Sequence, residues 1–389
     1  MEILIAIDKF KGSLSSLEAA HAISKGVKDA SINIVPMADG GDGSIESIMP
    51  YLKSDVIQIS AHNPIGRKIN SEYLLYVNSN RDINKLSAFI EMAKISGLLL
   101  LQGDERNPLN TSTYGLGELI KDAINKGAKE INVSIGGSAT NDGGTGLLQA
   151  LGCIFYDKKG DRINHFMCGG NLANIGTIEI SDDFINLVKD IDFNVICDVD
   201  NSLLGRYGAT YMYGVQKGAS EEMLVKLENG MINYVNSKIS FKDCDSSSGY
   251  NIGPLEISQK RGAGAAGGVG YAMNRFLCAK IISGWRYFAE ISDLESKIAK
   301  SDIIISGEGK IDEQSFNGKV IDGVLSISVK YKKPIILFCG VNELDGDYFK
   351  NIDGLLGVYE IRSIEPDLNK SMSNAGDLLT QLASRYCKL

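Results

Sequence analysis

Five short apolar runs constrain this chain more than any other feature. Each breaks off at an aspartate or a glycine-rich turn, with a helical pattern close behind in most cases. Residues 3–7 stop at Asp8. Residues 32–35 lead into Pro36-Met37-Ala38-Asp39-Gly40-Gly41-Asp42-Gly43. Residues 195–197 end at Asp198 and Asp200, residues 303–305 at Ser306-Gly307-Glu308-Gly309-Lys310, and residues 335–338 at Cys339-Gly340. Apolar runs of this length, interrupted only at Asn33, suit strands buried on both faces, as in parallel sheets covered by helices. Ligands of such sheets bind outside the carboxyl ends of the strands. The expectation is therefore an α/β fold whose polar residues share one cleft.

At 389 residues the chain exceeds a comfortable single core, so about two domains are expected. The strongest parallel-strand runs lie at its two ends, which suits a discontinuous α/β domain carrying an insertion. The first helix is marked by an S-x-x-E capping box at Ser15 and Glu18, followed by the apolar stripe Leu17, Ala20, Ile23 and Val27. Residues 71–77 and 86–92 alternate, as antiparallel or mixed strands do. Residues 155–190 and 237–262 read as rich in loops.

Net charge is −8 and the pI about 5.2, which argues against a general nucleic-acid or anionic-membrane surface. Cys153, Cys168, Cys197, Cys244, Cys278, Cys339 and Cys387 are widely spaced and form no C-x-x-C pair, so reduced thiols and no zinc site are expected. His21, His62 and His165 stand alone. The amino terminus enters a strand without a basic leader, and no apolar run reaches the length of about 18 residues that spans a bilayer. A cytoplasmic location is expected.

The stretch Gly136-Gly137-Ser138-Ala139-Thr140-Asn141-Asp142-Gly143-Gly144 follows a strand pattern and opens a helical one. Its glycines permit close backbone approach, and its hydroxyls, amide and acid suit phosphate oxygens and a metal beside a helix start. A plain strand-to-helix turn is the competing reading. Asp8-Lys9-Phe10-Lys11 offers a proton acceptor and phosphate-neutralising lysines, or a solvated turn. Asp39 and Asp42 suit Mg²⁺, or a turn and an N-cap. Asp198 and Asp200 share a face if the strand continues, so a metal or an amine would relieve their repulsion; an exposed turn serves as well. In residues 306–312, Lys310 suits a phosphate and Glu308 or Asp312 a metal, with a charged loop as the alternative. Residues 262–267 match G-x-G-x-x-G, yet no strand precedes them and no βαβ unit surrounds them. A tight backbone approach before a helix through Tyr271 and Phe276 fits better. The G-x-x-x-x-G-K-[ST] phosphate loop is absent from the sequence.

Eight segments in order then resemble the bacterial class I glycerate kinase family. They are Asp8-Lys9-Phe10-Lys11-Gly12-Ser13-Leu14, residues 38–43, Tyr114-Gly115-Leu116-Gly117-Glu118-Leu119-Ile120, residues 135–144, Cys197-Asp198-Val199-Asp200-Asn201, Gln216-Lys217-Gly218-Ala219, residues 262–268 and residues 306–312. The family more often has Glu where Asp42 stands and Asp where Asn63 stands. The resemblance implies transfer of the γ-phosphoryl group of ATP to D-glycerate with Mg²⁺. It also implies a discontinuous Rossmann-like domain, placed at 1–65 and 290–389, with an α/β domain inserted at 66–289 and the active site in the cleft.

Residue chemistry supplies candidate roles. Gly136, Gly137, Ser138, Thr140, Gly143 and Gly144 would hold phosphate, with Glu308 also on the nucleotide. Mg²⁺ would draw on Asp39, Asp42, Asp142, Asp198 and Asp200. Lys11 and Lys310 would offset phosphoryl charge, and Asp8 or Asp198 would accept the hydroxyl proton. Arg67, with Ser138 and Asn141, would hold the substrate, Arg67 on its carboxylate. Either O2 or O3 of glycerate can accept the group; the family favours O2. The partners are small molecules, and a homodimer is one option. An NAD(P)-linked oxidoreductase and a non-catalytic sensor of sugar acid or nucleotide are the rival functions. The number of acids and lysines weighs against the sensor.

Overall fold

A computed structural model describes residues 1–78, 85–241 and 253–387. Cys244 lies outside the described residues; the other six cysteines are free thiols. The chain divides into two compact units. One comprises Met1–Asp39, Glu46–Leu52 and Ser283–Leu389, the other Gly40–Ile45 and Lys53–Ile282.

The first unit is built on five parallel strands in the order Leu355–Glu360, Ile335–Asn342, Ile303–Ile311, Glu2–Ile7, Ser31–Pro36. Ile3, Ile5, Ile7, Ile305, Ile336 and Phe338 are buried in its core, each worth roughly 1.5–3 kcal/mol. Helix Ser16–Gly26 begins with the expected box: Ser15 Oγ accepts from Glu18 N–H, and the Glu18 carboxylate accepts from Ser15 N–H. It packs on helix Ala375–Tyr386 so closely that a Cβ on Gly26 would sit 2.3 Å from the Thr380 carbonyl oxygen. From Glu2–Ile7 the chain moves outward to Ser31–Pro36, whereas from Ile303–Ile311 it moves the opposite way. The order therefore reverses between these two neighbours, the place where open α/β sheets form ligand crevices.

The second unit carries a mixed six-stranded sheet. Ser54–His62, Lys68–Asn78 and Lys85–Glu91 pair antiparallel, as their alternation leads one to expect. Lys85–Glu91, Glu130–Ser134, Asp192–Ile196 and Lys280–Ile282 then run parallel. A three-stranded sheet joins Lys238–Phe241, Ile175–Ile180 and Ile154–Asp157. The stretch 155–190 is thus more ordered than its sequence suggests. Its strand buries only Ile175, Ile178 and Ile180, a spacing too sparse to stand out. Helix Asp182–Val188 follows, capped by Ser181.

Candidate active site

At the reversal of the first sheet lies a cavity of about 360 Å³ whose walls include Asp8, Lys11, Asp39, Glu308 and Lys310. Five residues singled out from three distant segments are brought together here. Asp8 follows the last residue of Glu2–Ile7; it is buried, and its Oδ1 accepts from Lys9 N–H at 2.7 Å. Burial raises its pKa well above the usual carboxylate range, and Asp39 adds to the rise. Lys9 Nζ donates to Asp39 Oδ1 at 3.4 Å. Glu308 sits on Ile303–Ile311, and burial raises its carboxyl too, with Asp39 and Asp312 contributing. Its Oε1 is buried without a hydrogen-bond partner. Gly307 lets the strand pass: a Cβ there would lie 1.8 Å from the Phe338 carbonyl oxygen. Lys310 is half exposed and pairs with Glu343 at 2.8 Å and Asp312 at 3.5 Å. Lys9 also lines the cavity, as do Lys319 and Arg362, which no sequence motif singled out. Lys9 was legible as the neighbour of Asp8; Arg362 stands in no motif.

The glycine loop of the second unit differs from expectation. Its solvent-facing portion ends at Gly137: Gly136 is half-buried, Gly137 exposed and Ser138 buried. Thr140, Asn141, Asp142 and Thr145 are fully buried. Gly136 N–H donates to the Gly40 carbonyl, Gly143 N–H to the Gly267 carbonyl and Gly144 N–H to Asp142 Oδ1. These donors are spent inside the protein and do not form an open phosphate cradle. The following helix, Thr145–Leu151, is two turns at most. The glycines serve packing. A Cβ on Gly144 would sit 2.5 Å from Ala272 Cβ, and one on Gly267 2.1 Å from the Thr140 carbonyl oxygen. The 262–268 run is that packing partner, with Ala266, Gly267 and Gly268 at positive φ inside helix Ala265–Leu277. Asp42 Oδ1 lies over Gly137, where a Cβ would come within 1.7 Å of it.

Asp142, expected among the metal ligands, is enclosed by protein donors. Its carboxylate accepts from Thr113 N–H and Oγ1–H, Gly144 N–H and Gly146 N–H at 2.7–3.2 Å, so protein donors occupy it. Burial nevertheless raises its pKa, the hydrogen bonds opposing. Asp200 is held by the Arg261 guanidinium at the surface. Strand Asp192–Ile196 ends too early to carry Asp198 and Asp200 on one face; Asp198 is half-buried. Among the described residues no three acids, histidines or cysteines gather closely enough to enclose a metal unaided. Asn141, expected at the substrate, is buried: its Nδ2 donates to Thr210 Oγ1, while its Oδ1 has no partner. Arg67 is exposed, and its guanidinium meets Glu105 at 2.6 Å.

Lys217, from a motif with no assigned role, is only 2 % exposed and donates to the Thr140 carbonyl at 2.7 Å. Burial pushes its pKa down to about 7, the charge of Asp142 opposing. The unfolded chain keeps this ammonium up to its ordinary value, so the folded state binds fewer protons between pH 7 and that value. Stability should therefore rise with pH from about 7 upward. Urea midpoints at pH 7, 8 and 9 measure this, and Lys217→Met should flatten the slope.

Residues 3–389 match the model of the glycerate kinase family. The chain is 40% identical over 344 residues to the glycerate 2-kinase of Escherichia coli K12, covering 87% of this chain and 85% of that one. It is 36% identical over 364 residues to the glycerate kinase of Bacillus subtilis 168, covering 92% and 90%. It also resembles the crystal structure of a candidate glycerate kinase 2 from Salmonella typhimurium LT2, with TM-score 0.75, 34% identity and coverage of 99% and 98%.

Proposed function

This chain belongs to the glycerate kinase family, and from that premise we propose that it transfers the γ-phosphoryl group of ATP to O2 of D-glycerate. It is an ATP-dependent kinase whose acceptor is a small organic acid. The observation that carries the site assignment is the cavity at the sheet reversal, where acids and lysines face one space. Phosphoryl transfer asks for that mixture: a base for the attacking hydroxyl, and positive charge for the phosphoryl oxygens.

Asp8 takes the hydroxyl proton, its basicity raised by burial and by Asp39. Lys11 and Lys310 compensate phosphate charge from the cavity wall. Asp39 and Glu308 present hard oxygen donors, and the unpartnered Glu308 Oε1 fits a site that expects a cation. Mg²⁺ suits such a set because it takes few protein oxygens and keeps waters and phosphate ligands. Bound there, it would neutralise phosphate charge. Arg67 is assigned to the glycerate carboxylate, displacing Glu105, and Ser138 is kept as a second substrate contact. The choice of O2 draws on the 40%-identical Escherichia coli relative, described as a 2-kinase. A cytoplasmic location is consistent with six free cysteines among the described residues, and no described helix is long and apolar enough to cross a membrane.

Phosphorus NMR of the product tests the regiochemistry: the 2-phosphate is expected, and the 3-phosphate refutes it. Lys11→Ala should lower kcat by roughly a hundredfold or more, as loss of a charge-stabilising donor does. Near-wild-type turnover in that variant would remove Lys11 from the reaction.

A further inference from the structure

We propose that the apolar wall of the first unit's cavity seats the nucleotide base, so that ATP lies along this unit with its phosphates at the acids and lysines of the sheet reversal. The inference deepens the kinase reading and rests on it for the identity of the donor.

The cavity wall is of two kinds. One part carries the charged residues already described. The other is apolar and includes Phe10, Val341, Ile361, Leu368 and Met372. Leu368, Ser371 and Met372 stand at i, i+3 and i+4 on helix Leu368–Ser373, and they line the cavity together with Ala375, the first residue of the next helix. Leu368 is 57% exposed and Met372 37%, so this face holds apolar side chains open towards solvent. Set beside Phe10, Val341 and Ile361 in one cavity wall, they form an apolar patch that a ligand can cover. Glycerate is a three-carbon polyhydroxy acid with nothing to offer that surface, whereas the face of a purine ring matches it. The segment is also fixed to the phosphate side. Ser13 Oγ donates to the Met372 carbonyl at 2.6 Å, and the Met372 methyl lies over Gly12, which adopts φ +76°. The turn bearing Lys11 and the apolar face are thus one assembly. Arg362, at the cavity rim, adds a cation near the path from base to phosphates.

A cavity of about 360 Å³ falls within the ordinary range for small-ligand sites, roughly 300–1,000 Å³. The assignment moves phosphate recognition away from the 136–144 loop, whose Gly136, Gly143 and Gly144 N–H groups already donate within the protein.

Titration calorimetry separates base from phosphates. The full-length Leu368→Ser/Met372→Ser variant is titrated with ADP and with inorganic tripolyphosphate, each with Mg²⁺ and without glycerate. The Kd for ADP should rise about tenfold or more, the loss expected for two partly covered apolar side chains. The Kd for tripolyphosphate should stay within about twofold. An unchanged ADP affinity, or an equal loss for both probes, overturns the base seat. On the unaltered protein, ADP should slow amide hydrogen exchange within residues 361–375; absence of protection there overturns it equally. Neither measurement uses the acceptor. A protein that binds ADP in this way but releases none from ATP on addition of glycerate would keep the base seat and lose the kinase assignment.

Discussion

Asp8→Asn should yield a folded protein whose kcat is lower by roughly two to four orders of magnitude, the range of a lost general base. Asn preserves shape and can still accept from Lys9 N–H, so the turn should survive. What disappears is an oxygen able to take a proton. The wild-type carboxyl is held above its ordinary range chiefly by burial and secondarily by Asp39. An acid so raised acts as a base only once pH exceeds its folded pKa, so wild-type kcat should climb with pH through a limb that the variant lacks. ADP affinity, read by calorimetry, should change far less than kcat. If affinity falls as much as turnover, Asp8 belongs to phosphate and cation binding; if kcat is unaltered, the base lies elsewhere.

Asp142→Ala should cost on the order of 3–5 kcal/mol of stability, as leaving several buried donors unmet does. Four donors point at this carboxylate, from Thr113 twice and from Gly144 and Gly146. An alanine leaves them in a dry interior, where each unmet polar group costs about 1–3 kcal/mol. Asp142→Asn keeps one acceptor oxygen and should lose less. Urea denaturation of the three proteins gives the comparison. Stability close to wild type in the alanine variant, with activity abolished, would return Asp142 to a direct role in the reaction. The contrast with Asp8 is instructive: both acids are buried, but Asp8 lines a cavity while Asp142 faces only protein donors.

Much of this was legible in the sequence because it depended on local rules. The apolar runs ending at Asp8 and before Glu308 marked parallel strands, and the strand-end rule placed both acids at a ligand crevice. The Ser15–Glu18 box is local and formed as spelled. The glycine loop misled because glycine answers two needs with one letter. Phosphate contact and backbone-to-backbone packing both require a missing Cβ, and only the position of the 262–268 run shows which applies at Gly144 and Gly267. Asp142 misled similarly, since an acid that clamps backbone amides and one that binds a metal are spelled alike. Leu368 and Met372 gave no signal; a short amphipathic helix near the end of a chain is ordinary until a cavity is seen beside it.

The pairing of Glu2–Ile7 with Ile303–Ile311 sets an order on biosynthesis. A ribosome releases the first strand long before its central neighbour exists, so that segment must wait through the synthesis of residues 8–302 with one apolar edge unmatched. Lys53–Ile282 emerges as one uninterrupted stretch and can consolidate during that interval. The nascent chain thus ripens from its middle outward, and the crevice that holds Asp8 and Glu308 is among the last features to be completed.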